Sequence, residues 1–168
     1  MNYLNIDQNK VKPVVNQLNI LLADYHLYYQ NLRTFHWNIL GKNFFELHQK
    51  FENLYNDART KIDDVAERIL TLKYHPISKA SQYLEISNIK EEEISLDDAK
   101  MITSILENHK QILSQMGNVM QAASKIEDEG TMDMMGSFIN ELEKESWMLN
   151  AWSHNTDEEL MLSEMPIQ

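Results

Sequence analysis

Cysteine is absent from this 168-residue chain. Its absence excludes disulfides, iron–sulfur ligation, cysteine-based zinc sites and a thiol nucleophile, and is the usage expected of a reducing compartment. Glycine (4) and proline (3) are too scarce to punctuate the many turns of an all-β sandwich or barrel, so composition alone favours helix. No uninterrupted apolar run reaches the roughly 18 residues needed to span a bilayer. The polar segment from Met1 to Lys12 lacks the apolar centre of a signal peptide, so a cytoplasmic protein is expected. Basic residues are in the minority, with 15 Lys and Arg against 26 Asp and Glu for a net charge of −11. That balance argues against nucleic acid as a default partner and in favour of cations. Apolar residues, by contrast, make up 43% of the chain, enough to fill one core at this size.

The apolar positions fall into four long runs at helical spacing. The first joins Val11, Val14, Val15, Leu18, Leu21, Leu22, Tyr25, Tyr28, Tyr29, Leu32 and Phe35, and stops near Gly41. The second, with Asn43 as its expected cap, joins Leu47, Phe51, Leu54, Tyr55, Ala58, Ile62, Val65, Ile69 and Leu72, and His75-Pro76 is expected to end it. So short a joint forces these two helices into an antiparallel hairpin. From Pro76 to Glu93 no long periodicity appears, and Ser78 is expected to cap one short helix through about Leu84. Ser95, with Asp98 three residues on, reads as a capping-box variant opening the third run, Met101 to Ala123, which ends near Ile126. Residues 127–131 read as a turn, and the fourth run extends from Met134 to Trp152. The expected fold is therefore all-α: a four-helix bundle whose second and third helices are joined by a long crossover carrying a short helix, the ferritin-like connectivity. One domain is expected over residues 1–168, with 1–10 as an N-terminal extension and 155–168 as a C-terminal tail.

Five polar residues stand out at helical spacing: His36, His48, Glu52, Asp63 and Glu67. Imidazole with carboxylates is the ligand set for divalent iron, manganese or zinc. A ferritin di-iron site inside one bundle needs Glu-x-x-His on two helices. It is absent, because no acidic residue stands three positions before any of the six histidines. His48 and Asp63 are also roughly 22 Å apart along one helix at about 1.5 Å per residue, too far to share one ion. The pairs His48 with Glu67 and Glu52 with Asp63, however, share one midpoint, between Asp57 and Ala58. At about 100° per residue all four point into a sector about 100° wide. Two copies of the helix crossing antiparallel near Ala58 would bring the histidine end of each against the carboxylate end of the other, twice, as a two-fold contact requires. His36 joins His48 at a similar height across the hairpin turn near Lys42. His26, His75, His109 and His154 read as packing or surface residues, and the ten methionines as core. Trp37 reads either as an aromatic packing the hairpin or as an interceptor of stray oxidising equivalents beside His36.

The stretches His36-Trp37-Asn38-Ile39-Leu40-Gly41, Phe44-Phe45-Glu46-Leu47-His48 and Ile62-Asp63-Asp64-Val65-Ala66-Glu67-Arg68 resemble the signature of the Dps family of mini-ferritins, the DNA-binding proteins from starved cells. The resemblance extends over nearly the whole chain, through Asp128–Asp133 and Glu143–Met148 in the fourth run. It implies a dodecameric hollow shell, a homo-oligomer that oxidises Fe²⁺ with hydrogen peroxide or oxygen and stores the ferric product, protecting against oxidative damage. It implies a ferroxidase centre shared across two-fold interfaces. His36, His48, Asp63 and Glu67 would be its catalytic and iron-ligating residues, and Glu52 a further acidic position where the family commonly has Asp. Asp128 and Asp133 match acidic positions that line three-fold pores. The alternative within the family, a shell that coats DNA with metal binding incidental, needs basic tails. Here the N-terminal segment offers only Lys10 and Lys12, and the C-terminus carries Asp157, Glu158, Glu159 and Glu164, so DNA binding is not expected.

Overall fold

A computed structural model describes Leu4 and residues 6–153 as five helices: α1 (Gln8–Asn38), α2 (Phe44–Thr71), α3 (Ala80–Ile86), α4 (Asp98–Ser124) and α5 (Glu129–Ser153). Among the described residues there is no strand, and none of the helices is long and apolar enough to cross a membrane. The expected tail and His154 lie outside the described residues. The four long helices stand where the apolar periodicity put them, and a short helix lies in the crossover as expected.

Each long helix buries the stripe that its sequence spells. From α1 these are Val14, Leu18, Leu21, Leu22, Tyr25, Leu32 and Phe35; α2 adds Leu47, Phe51, Ala58, Val65 and Ile69, and α4 adds Met101, Ile105, Ile112 and Met116. α1 packs on α2, α3 and α4, and α4 on α5, so the chain forms two antiparallel hairpins joined by the crossover. In the α1–α2 joint Gly41 takes φ 98°, a conformation costly for a residue with a Cβ, and this reverses the chain within five residues. The crossover is anchored by a buried carboxylate on α1. Asp24 accepts hydrogen bonds from Ser87 Oγ (2.8 Å), Asn88 N (2.6 Å) and Asn88 Nδ2 (3.0 Å), while His26 stacks on Tyr83 of α3 at 4.0 Å. Burial raises the Asp24 pKa against the opposing pull of these donors. Because every partner of Asp24 is a donor, Asp24→Asn would aim an amide N–H at one of them. It is expected to cost about 1–3 kcal/mol in urea unfolding at pH 7.

The helix ends depart from expectation in instructive ways. α1 begins at Gln8, so residues 8–10 belong to the helix rather than to an extension; Asp7 caps it by accepting from Asn9 N at 3.0 Å. It ends at Asn38, three residues before Gly41. Asn43 occupies the cap position of α2 without a side-chain cap bond, and its Nδ2 donates to Asp98 Oδ2 at 2.6 Å. α2 stops at Thr71, ahead of His75-Pro76. Lys73 turns left-handed (φ 70°), its N–H donates to Leu70 O, and Tyr74 N–H reaches back to Ile69 O at 3.2 Å, which satisfies the last carbonyls before proline is met. Lys79 rather than Ser78 precedes α3. Asp97, not Ser95, caps α4, accepting from Ala99 N and Lys100 N, while Ser95 Oγ accepts from Asp97 N. α4 ends at Ser124, and α5 starts at Glu129, inside the stretch read as a turn.

Candidate metal centre

The α1–α2 hairpin brings two imidazoles together. His36 is buried at 8% exposure, and its ring stacks on that of His48 with centroids 3.7 Å apart and planes 20° from parallel. Each ring is held by the other's backbone: His36 Nδ1 lies 2.8 Å from His48 O, and His48 Nδ1 lies 2.9 Å from His36 O. A carbonyl oxygen only accepts, so both Nδ1 atoms carry a proton and donate, which in a neutral ring leaves the lone pair on Nε2. This reciprocal lock is the arrangement that fixes tautomer and ring direction in metal-ligating histidines. Phe44 stacks on His48 at 4.9 Å, and Tyr55 meets His36 edge-on at 5.3 Å, so aromatic rings flank the pair on both sides.

Glu52 stands one turn beyond His48 on α2, half-buried. Tyr55 O–H donates to its Oε1 at 3.3 Å, and Gln49 Nε2 to its Oε2 at 3.5 Å. Tyr55 was not among the expected site residues, although its place three positions after Glu52, on the same side of the helix, marks it in the sequence. Asp63 and Glu67 are on the same uninterrupted helix, exposed and far from the histidines. One chain therefore gathers two imidazoles and a carboxylate at one end of α2 and two free carboxylates near the other. Among the described residues no group of three His, Asp or Glu side chains is gathered tightly enough to hold an ion. Ala58, the expected crossing point, is fully buried in its own chain. The sector holding His48, Glu52, Asp63 and Glu67 is centred about 130° round the helix from it. At the same height that sector presents the exposed Asn56 and Arg59, so a partner helix would meet these residues and not Ala58.

Trp37 does not pack the hairpin. It is 59% exposed, and the Arg33 guanidinium lies over its ring at 4.5 Å and over the Tyr29 ring at 5.2 Å. Asp128 pairs with Arg68, and accepts from Thr131 N (3.1 Å) and Thr131 Oγ1 (2.6 Å) at the start of α5. Its carboxylate is thus occupied at a helix N-terminus, whereas Asp133 is exposed. His75 is exposed and His26 stacked on Tyr83, as surface and packing residues. His109 is 1% exposed but hydrogen-bonded at both ring nitrogens, which its sequence position did not disclose.

Residues 15–158 match the ferritin-like domain family. The chain is 40% identical over 148 residues to the DNA protection during starvation protein of Porphyromonas gingivalis, covering 88% of this chain and 93% of that one. It is 38% identical to DNA protection during starvation protein 2 of Bacillus anthracis, over 84% and 97% of the two chains. The crystal structure of the Dps protein from Vibrio cholerae, described as a member of a broad superfamily of ferritin-like diiron-carboxylate proteins, superposes with a TM-score of 0.87. It is 43% identical, with 89% of this chain and 94% of that chain covered. A four-helix bundle of ferritin-like connectivity carrying one histidine of the pair on its first helix, and the other with carboxylates on its second, defines the class. The chain belongs to the Dps family within it, which places it among proteins of iron storage and protection.

Proposed function

We propose that the protein is a ferroxidase that oxidises Fe²⁺ with hydrogen peroxide, or with oxygen, at sites shared between two subunits, and stores the ferric product inside a dodecameric shell. The reciprocal lock of His36 and His48 carries this reading: two histidines with protonated Nδ1 and free Nε2 are prepared to bind a divalent cation. Asp63 and Glu67 of a two-fold partner would complete each site, with Glu52 beside the histidines. The donor set suits iron in both states. Neutral imidazole holds Fe²⁺, hard carboxylate oxygen favours Fe³⁺, and two Fe²⁺ supply the two electrons that, with two protons, reduce one peroxide to two waters. The exposed Asp133 would attract Fe²⁺ at a pore of the shell, with Asp128 holding the turn beside it. DNA contact forms no part of this function, since a chain of net charge −11 repels phosphate, and removal of Fe²⁺ together with peroxide protects DNA without touching it.

The test loads the apo-protein anaerobically with Fe²⁺, adds peroxide, and follows ferric absorbance together with mass on a sizing column. Wild type is expected to oxidise rapidly and to retain soluble iron in a large shell. Asp63→Ala is expected to keep the shell and slow oxidation by about 100-fold or more. Oxidation at the same rate in both would refute the intersubunit site.

A further inference from the structure

Outside the candidate metal centre, one phenol is set up for chemistry. Tyr28 of α1 is 2% exposed, and its hydroxyl lies 2.7 Å from His109 Nε2 on α4. The direction of this bond follows from its neighbours. Ser146 Oγ donates its single proton to Leu142 O at 2.6 Å, so toward His109 Nδ1, 2.8 Å away, it acts as acceptor. The imidazole proton therefore sits on Nδ1, Nε2 carries the lone pair, and the Tyr28 phenol donates to it. Burial, with a smaller contribution from Lys50, pushes the His109 pKa down to about 3, so the ring stays neutral and able to accept. Burial, then the fields of Asp57 and Glu145, hold the Tyr28 phenol well above its ordinary pKa.

Such a phenol does not ionise on its own. It can lose an electron and a proton together, because an aligned base already stands within hydrogen-bond reach to take the proton. The contrast with its neighbour is direct. Tyr25, edge-on to Tyr28 at 6.4 Å, is equally buried, but its hydroxyl has no hydrogen-bond partner and so no group to take its proton. Tyr28 is also reachable. It forms part of the wall of a cleft of about 250 Å³ between α2 and α5, where Lys61 is held by Asp57 (2.6 Å) and Glu141 (2.8 Å) and Lys50 pairs with Glu145.

We infer that Tyr28 and His109 form a one-electron redox pair that disarms hydroxyl radical or an oxidant of similar strength, a role that rests on the ferroxidase reading because Fe²⁺ meeting peroxide singly is the source of that oxidant. The radical takes one electron from the phenol and becomes hydroxide. The phenol proton passes to His109 Nε2, leaving a neutral phenoxyl radical beside an imidazolium. One further Fe²⁺ then gives an electron to the phenoxyl and becomes Fe³⁺, and the proton returns from His109 to the oxygen. The sum is hydroxyl radical plus Fe²⁺ giving hydroxide plus Fe³⁺, with the protein restored.

The experiment generates the oxidant in two ways on the assembled full chain and reads the radical by freeze-quench electron paramagnetic resonance. One arm uses Fe²⁺ with peroxide; the other uses flash-oxidised ruthenium tris-bipyridine without iron. Wild type is expected to give a tyrosyl signal in both arms, with slower formation in deuterated buffer. Tyr28→Phe, which keeps the ring, is expected to lose the signal. His109→Gln, whose amide oxygen can accept the hydrogen bond but not the proton, is expected to lose most of it and the isotope effect. The same signal in Tyr28→Phe, or none in either arm of wild type, overturns the redox pair. A signal only in the ruthenium arm, in protein that oxidises Fe²⁺ fast, overturns its protective role. A signal in the ruthenium arm with iron oxidation itself slow removes the ferroxidase reading and leaves the redox pair standing.

Discussion

Mixing two inactive variants is expected to restore about a quarter of the ferroxidase sites, by the following count of random pairing across a two-fold contact. Take His36→Ala with His48→Ala in one chain, and Asp63→Ala with Glu67→Ala in another. Each alone assembles shells whose sites all lack half of their ligands, so fast Fe²⁺ oxidation is lost in both. Unfolded together and reassembled at equal amounts, half of the dimers are mixed. In a mixed dimer, one site draws its histidines from one variant and its carboxylates from the other, and is damaged twice. The second site draws the intact half from each. One good site per mixed dimer is one quarter of all sites. The measurement is the initial rate of ferric absorbance after peroxide addition, normalised to wild type. No recovery in shells shown by mass spectrometry to contain both chains would rule out the shared site, since sites within one chain cannot complement.

Acid is expected to weaken the bundle through His109. In the folded chain the ring is buried at 1% exposure with a pKa pushed down to about 3, against an ordinary value of 6.5. Above 6.5 neither the folded nor the unfolded ring binds a proton, so the stability that neutral His109 supplies is fully present. Between 6.5 and about 3 the unfolded ring binds a proton and the folded ring does not, so stability drains as pH falls. The slope is about 1.4 kcal/mol per pH unit from this one residue. His109→Gln has no such group. At pH 7 it is expected to cost about 1–3 kcal/mol, because the amide that replaces the ring cannot hold both the Tyr28 and the Ser146 hydrogen bonds at their native geometry. Since only wild type loses stability through this residue on acidification, the gap narrows, and the two unfolding curves meet near about pH 5. Urea titrations of both proteins from pH 7 to pH 4 give the comparison. A difference that stays constant over that range would mean that the ring takes up its proton in the folded state.

Much of this was legible in the chain itself, for identifiable reasons. Apolar residues three and four apart are sufficient to mark a helix, because helical pitch is local and the stripe must be buried somewhere. The short joint near Gly41 settled the first hairpin, and the length of the Pro76–Glu93 stretch settled the crossover. The helix termini were less legible, since caps are chosen by competition. Asn43 has the right side chain, but its amide is engaged with Asp98, distant in sequence, whose Oδ2 accepts from Nδ2 at 2.6 Å. α2 ends at Thr71 because the left-handed Lys73, with Tyr74 N–H returning to Ile69 O, satisfies its carbonyls before Pro76 matters.

The candidate site divides in the same manner. Spacing alone showed that His48, Glu52, Asp63 and Glu67 share one sector of one helix and are symmetric about one point, a property of numbering and pitch. It did not show that Ala58 faces inward and Asn56 and Arg59 outward, since that depends on which stripe the rest of the bundle covers. The sequence by itself determined the helices, their antiparallel pairing and the ligand types, all of which follow from local periodicity and side-chain chemistry. Only the tertiary structure decided the tautomers of His36 and His48, the capture of Asp128 by Arg68 and Thr131, and the Tyr28–His109–Ser146 chain. Each of these is a hydrogen bond or ion pair whose strength depends on distance, direction and burial, and its partners meet only when helices far apart in the chain are packed together.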